Sequence, residues 1–239
     1  MSDAAFPTPM TTLVFIPGFM CDASLWQALL PGLRFPGQGQ FVDLNQGNSI
    51  DEMADRILAS MPSNSLLIGF SLGGYVARRI AFKAPDKLAG LILLNTSARP
   101  STLAELERNQ QQIKMLEVFP YKGQTQTALR RALHPDRSDN PALLSQLQAM
   151  SLRLGKDVFI RQLALVREDG HPELPHIHCP ALVIASRQDQ MRKLEEAENL
   201  ANGLPHAQLH IVEDCGHMSV LEQPDEVRRV MNRWIDNLN

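Results

Sequence analysis

Ser71 sits among three glycines in "LLIGFSLGGYVARR", residues 66–79. A serine hydroxyl is a weak nucleophile until a base takes its proton. The run before Ser71 is wholly apolar, as in a buried strand, and the run after it is amphipathic, as in a helix. Gly69-Phe70-Ser71-Leu72-Gly73 therefore places G-x-S-x-G at a sharp turn from strand to helix. Such a turn forces its central residue into a strained conformation and needs small residues two positions to either side. It lifts the hydroxyl clear of the sheet to the start of a helix, where free N–H groups and the dipole favour developing negative charge. A glycine-rich turn that merely packs helix against strand would need no chemical partners for Ser71. The phosphate-loop alternative is excluded, because "GFSLGG" lacks the Gly-Lys-Ser/Thr ending.

Partners are available. For a nucleophile at such a turn the expected chain order is serine, acid, histidine. Among seven histidines, His217 is the one late in the chain, just after an apolar run and beside a glycine, in "EDCGHMSVLEQP". Asp189 follows the preceding apolar run, in "ASRQDQM". Both are expected at the edge of the sheet that carries Ser71. His217 Nε2 would take the Ser71 proton, and Asp189 would hold the Nδ1–H and stabilise the imidazolium. Asp214 is the competing acid, but it lies too near His217 along the chain to reach round the ring easily. Acyl transfer also needs N–H donors for an oxyanion. Leu72, the residue after the nucleophile, is one. Phe19 in the loop "IPGFM" is expected as the second, with Met20 as the other choice. Cys215 lacks a comparable turn, and His176 and His178 lie on a connector whose alternate residues point apart, so neither a cysteine nucleophile nor a metal site is expected. Arg99 and Arg161 are the cations that could meet an anionic substrate group.

The elements that must position these residues alternate. Strands are predicted at 11–19, 40–44, 65–70, 88–100, 179–186 and 207–214, and helices at 22–33, 49–61, 72–85, 191–204 and 222–238. The strands are continuously apolar, as parallel strands buried on both faces are. From Ser101 to about Gly170 there are helical stretches and no convincing strand. This insertion is rich in apolar residues, among them Met115, Leu116, Phe119, Met150, Leu154, Phe159 and Leu163, some of which would line a pocket above Ser71. Trp26 and Tyr75 read as packing residues.

Composition narrows the function. The chain has 239 residues, 44% hydrophobic and 21% charged, with a formal net charge of −3. That is a globular composition without the basic footprint of a nucleic-acid binder. Three cysteines, Cys21, Cys179 and Cys215, form no disulfide framework and suit a reducing cytosol. "MSDAAFPTPM" does not read as a signal peptide, and no apolar run approaches the roughly 20 residues of a membrane span.

Taken together, "FIPGFMCDASLW", "LLIGFSLGGYVA", "LILLNTSARP", "CPALVIASRQDQM" and "CGHMSVLEQPDEV" resemble the α/β-hydrolase fold superfamily over nearly the whole chain. The resemblance implies a mostly parallel, doubly wound α/β sheet of about six strands. It also implies a core of residues 1–100 and 171–239, with residues 101–170 inserted as a helical cap. Two stretches depart from the family pattern. Pro17-Gly18 replaces the usual His-Gly, and Asp43-Leu44-Asn45-Gln46-Gly47 replaces the usual motif after the second strand. The N-terminal antiparallel hairpin of larger members is expected to be missing. The activity implied is a cytoplasmic serine hydrolase acting on a small to medium ester-like molecule through an acyl-enzyme. It would need no cofactor or metal, and no nucleic-acid or membrane partner. C–C bond hydrolysis, thioester hydrolysis and peracid formation use the same three residues. A non-catalytic ligand-binding protein is the alternative from another class.

Overall fold

The computed structural model describes residues 11–34 and 39–238. The stretch "MSDAAFPTPM", expected to carry no signal peptide, lies outside them. Six strands form one parallel sheet in the order β2-β1-β3-β4-β5-β6. They are β1 (Thr12–Ile16), β2 (Gly39–Phe41), β3 (Ser65–Phe70), β4 (Leu88–Leu94), β5 (Ala181–Ser186) and β6 (Ala207–Val212). The helices are α1 (Ile50–Leu58), α2 (Leu72–Lys83), α3 (Leu103–Val118), α4 (Gln126–Arg131), α5 (Pro141–Leu163), α6 (Leu194–Gly203), α7 (Ser219–Glu222) and α8 (Pro224–Asp236).

The period-2 geometry of a strand divides the apolar residues between two faces. Phe15, Ile68, Ile92 and Ile184 pack on one side with Trp26 and, from α8, Val227, Met231 and Trp234. Val14, Leu67, Leu91 and Val183 pack on the other with Met53 of α1, Val76 and Ile80 of α2 and Leu200 of α6. Every residue of β3 and β5 is buried, whereas the edge strands β2 and β6 keep exposed residues. Edge position explains why the second predicted strand shrinks to three residues.

Other expectations need correction. Residues 22–33 form a single 3₁₀ turn at Ala23–Trp26, capped by Asp22, and not a helix; Pro31-Gly32 leaves no length to propagate one. The strand expected at 88–100 ends at Leu94, because Asn95 adopts φ 46° and turns the chain away. Met115 and Phe119 are exposed, while Met150, Phe159 and Leu163 are buried.

The segment between β4 and β5 is helical, with no strand among its residues. A Thr102–Glu105 capping box starts α3, and Asn140 with Pro141 starts α5. The underside of this segment joins the core through Leu129, Leu133, Leu147 and Met150. Val158, Phe159 and Leu163 close over Met20, in a second cluster that includes Phe19 and Tyr121. No described helix is long and apolar enough to cross a membrane.

Helix α5 kinks at Gly155, where φ is 80° and ψ −179°. That region is essentially open to glycine alone. The kink turns the arm carrying Val158, Phe159 and Gln162 toward Met20. Substituting Gly155→Ala is expected to cost about 1–3 kcal/mol, although no atom lies within 4 Å of the added methyl. Urea denaturation tests this, and an unchanged midpoint would remove the strain argument.

Candidate active site

Because all strands are parallel, their C-terminal ends share one edge. The chain passes from β1 to β2 on one side and returns through α1 to β3 on the other, so the order reverses between β1 and β3. Open α/β sheets bind ligands at such a switch point. Ser71 stands there, at the end of β3, beside the loop that leaves β1.

The local sequence makes the turn. Ser71 has φ 50° and ψ −111° and is only 7% exposed. Its own backbone is held at both ends: its N–H donates to Leu94 O at 2.9 Å, and its carbonyl accepts from Thr96 Oγ1 at 2.7 Å. A β-carbon on Gly73 would lie 2.2 Å from Ile16 O, so helix α2 and the end of β1 meet backbone to backbone. One on Gly18 would lie 3.3 Å from Ser71 Cβ, which puts the loop after β1 directly against the serine.

The structure brings the three predicted residues together. His217 Nε2 is 2.9 Å from Ser71 Oγ, and His217 Nδ1 is 2.7 Å from Asp189 Oδ2. Asp189 also accepts from the Met191 and Arg192 N–H groups at 2.7 and 2.9 Å and from Asn95 Nδ2 at 3.1 Å. Burial raises its pKa, but the His217 charge, the His217 hydrogen bond and the two backbone N–H groups outweigh burial and hold the carboxyl below its ordinary value. An ionised Asp189 can only accept, so Nδ1 carries a proton facing it, and in the neutral ring Nε2 is the nitrogen able to accept the Ser71 proton. Asp214 is elsewhere: its side chain is 65% exposed and pairs with Arg137.

The loop carrying His217 is braced by Glu222, whose carboxylate is fully buried and accepts from Gly216 N–H at 3.1 Å, His134 N–H at 2.8 Å and Arg137 Nε at 3.3 Å. Sequence reasoning passed over Glu222 and Asn95. The polar run "NTS" directly after a buried strand was the available signal for Asn95. Its side chain donates to Asp189 and Ser186 and accepts from Ser219 Oγ.

The Leu72 and Phe19 amides have no hydrogen-bond partner among the described residues, whereas Met20 N–H donates to Gln162 Oε1 at 2.8 Å. Met20 N–H is thus already bonded, and Phe19 N–H is not. Arg99 is held by Glu105 and Glu196, and Arg161 donates to Asn45 O. Desolvation holds all three thiols from ready ionisation: the buried Cys21 and Cys215 are pushed up to about 12 and the half-buried Cys179 to about 11. A groove of about 760 Å³ bordered by Glu52, Arg56, Asp157 and Arg161 contains none of Ser71, Asp189 and His217.

Known proteins share this architecture. The chain is 29% identical over 240 residues to the pimeloyl-acyl-carrier-protein methyl ester esterase of Aromatoleum aromaticum, across 90% of this chain and 94% of that one. It is 26% identical over 251 residues to the biotin biosynthesis bifunctional protein BioHC of Cellvibrio japonicus; that alignment takes in 95% of this chain but spans only about half, 48%, of the relative. Among solved structures, a thermophilic esterase from Thermogutta terrifontis superposes with a TM-score of 0.82 at 25% identity, covering 97% of this chain and 91% of that one. Residues 13–230 match the model of the alpha/beta hydrolase family, to which the chain therefore belongs.

Proposed function

We propose that the chain is a serine hydrolase that cleaves a small to medium ester-like substrate through an acyl-enzyme, with residues 101–170 as the cap over its site. The observation that carries this reading is the continuous path from Ser71 Oγ through the His217 ring to a buried, ionised Asp189. The esterase names of the similar proteins support the same bond type. Three unpaired cysteines support a reducing, cytoplasmic setting.

In this mechanism Ser71 Oγ attacks the carbonyl carbon while its proton passes to His217 Nε2. Asp189 stabilises the imidazolium that forms, so the charge is never left unpaired in a buried site. The carbonyl oxygen becomes an oxyanion and takes hydrogen bonds from the Leu72 and Phe19 N–H groups, Leu72 being the first residue of α2 and therefore without an intrahelical acceptor. Collapse of the intermediate breaks the bond to the alcohol, and His217 returns the proton to that leaving oxygen. Water then attacks the acyl-Ser71 ester, giving its proton to His217. The second collapse releases the acid and restores the serine hydroxyl.

Hydrolysis of p-nitrophenyl esters of graded acyl length tests the reading. Wild type is expected to turn them over, with kcat falling by about 10⁶-fold in Ser71→Ala and about 10⁴-fold in Asp189→Asn. An inert wild type whose Ser71 still reacts with a fluorophosphonate would redirect the assignment to C–C or thioester bonds. No turnover and no labelling would indicate a binding protein.

The acid predicts a stability effect of known sign. A carboxyl held below its ordinary pKa stabilises the fold at pH above its unfolded value, about 3.9, and this contribution is lost as pH falls through the lower folded value. Asp189→Asn has no such titration. Urea midpoints measured from pH 6 down to pH 3 should therefore fall more steeply for wild type than for Asp189→Asn; parallel curves would contradict the assignment.

A further inference from the structure

Gln162 lies near the end of α5, on the arm beyond Gly155, and is buried. Both ends of its amide are engaged. Oε1 accepts from Met20 N–H at 2.8 Å, and Nε2 donates to Leu44 O at 3.0 Å. A carbonyl partner on one side and an N–H partner on the other fix which end of the amide faces which. The neighbouring Arg161 donates to Asn45 O, so two consecutive residues grip the backbone that follows β2.

Met20 is a strained partner. It lies in the turn closed by Cys21 N–H to Gly18 O at 3.1 Å, and its φ is 52°. Positive φ is unfavourable for a methionine and persists only where surrounding contacts enforce it. Rotating the Phe19–Met20 peptide would relieve Met20 and would carry its N–H away from Gln162. The same rotation disturbs the position of Phe19, the preceding residue. A buried N–H without an acceptor is costly, so the hydrogen bond from Met20 to Gln162 opposes that rotation.

The geometry points to Gln162 as a positioning residue that holds the Gly18–Cys21 turn so that Phe19 N–H faces the oxyanion. The inserted helical segment then completes the reaction centre as well as covering it. This rests on the hydrolase reading above. Gln162 touches no reacting atom; its effect passes through Met20 to a donor whose placement within a few tenths of an ångström decides its worth in the transition state.

The test compares Gln162→Met, which keeps length and packing but loses both hydrogen bonds, with Gln162→Glu, which keeps an acceptor for Met20 N–H. With the best p-nitrophenyl ester, Gln162→Met is expected to lower kcat about 10- to 100-fold with KM within threefold. Inhibition by an alkyl trifluoromethyl ketone, which forms an oxyanion on addition of Ser71, should weaken by the same factor. Gln162→Glu should retain a higher kcat than Gln162→Met, and it carries the comparison if Gln162→Met does not fold. A kcat within twofold of wild type, a change confined to KM, or an unchanged ketone affinity would overturn the inference. A wild type inert to both ester and ketone overturns the hydrolase reading itself, whereas an active wild type with an indifferent Gln162→Met overturns this inference alone.

Discussion

The backbone of Ser71 is held at φ 50° and ψ −111°, a setting that costs of order 1–3 kcal/mol and survives only where its surroundings over-determine it. Much of the neighbourhood can be understood as that over-determination. Leu94 O, at the end of the adjacent strand β4, and Thr96 Oγ1, in the loop just after it, fasten the two sides of the residue. The missing side chain at Gly73 lets the end of β1 touch the first turn of α2. These contacts exist because β1, β3 and β4 are adjacent and parallel, so their ends come out level. The same level edge brings Asp189 and His217, from the ends of β5 and β6, within hydrogen-bond reach of each other and of Ser71.

Electrostatics follows from this packing. Asp189 is nearly removed from solvent, which by itself would favour the neutral acid. The charge and hydrogen bond of the histidine ring, with two backbone N–H groups, reverse that preference. Glu222 lies one step further out: its fully buried side chain accepts from three N–H donors, which belong to the His217 loop and to the segment following α4. The rigidity of the histidine loop is therefore distributed between the core and the insertion.

Much of this arrangement was legible in the sequence because it depends on local signals. A continuous apolar run, a glycine at either side of a serine, and an acid and a histidine each following a strand are all readable without coordinates. The parallel sheet and the helical nature of residues 101–170 follow from the same periodicities. What was not legible depends on long-range contact. Nothing near Gln162 in "DVFIRQLALVRE" marks it as the partner of an amide 142 positions earlier. Asn95 and Glu222 look like ordinary polar residues until the sheet stacks them beside Asp189 and Gly216. The failed helix at 22–33 has the opposite cause: its apolar spacing is real, but Leu25, Trp26 and Leu29 reach the core from turns.

The contacts that assemble the site are among the longest in the chain, joining Ser71 to His217 across 146 residues and Met20 to Gln162 across 142. Closing such loops costs chain entropy that only the finished core repays. A polypeptide growing from its N-terminus thus carries the serine turn long before it carries His217, the base of the proposed mechanism. In the proposed mechanism, activation of Ser71 waits until the last strand and its loop have docked, so a chain truncated before His217 would hold no activated nucleophile.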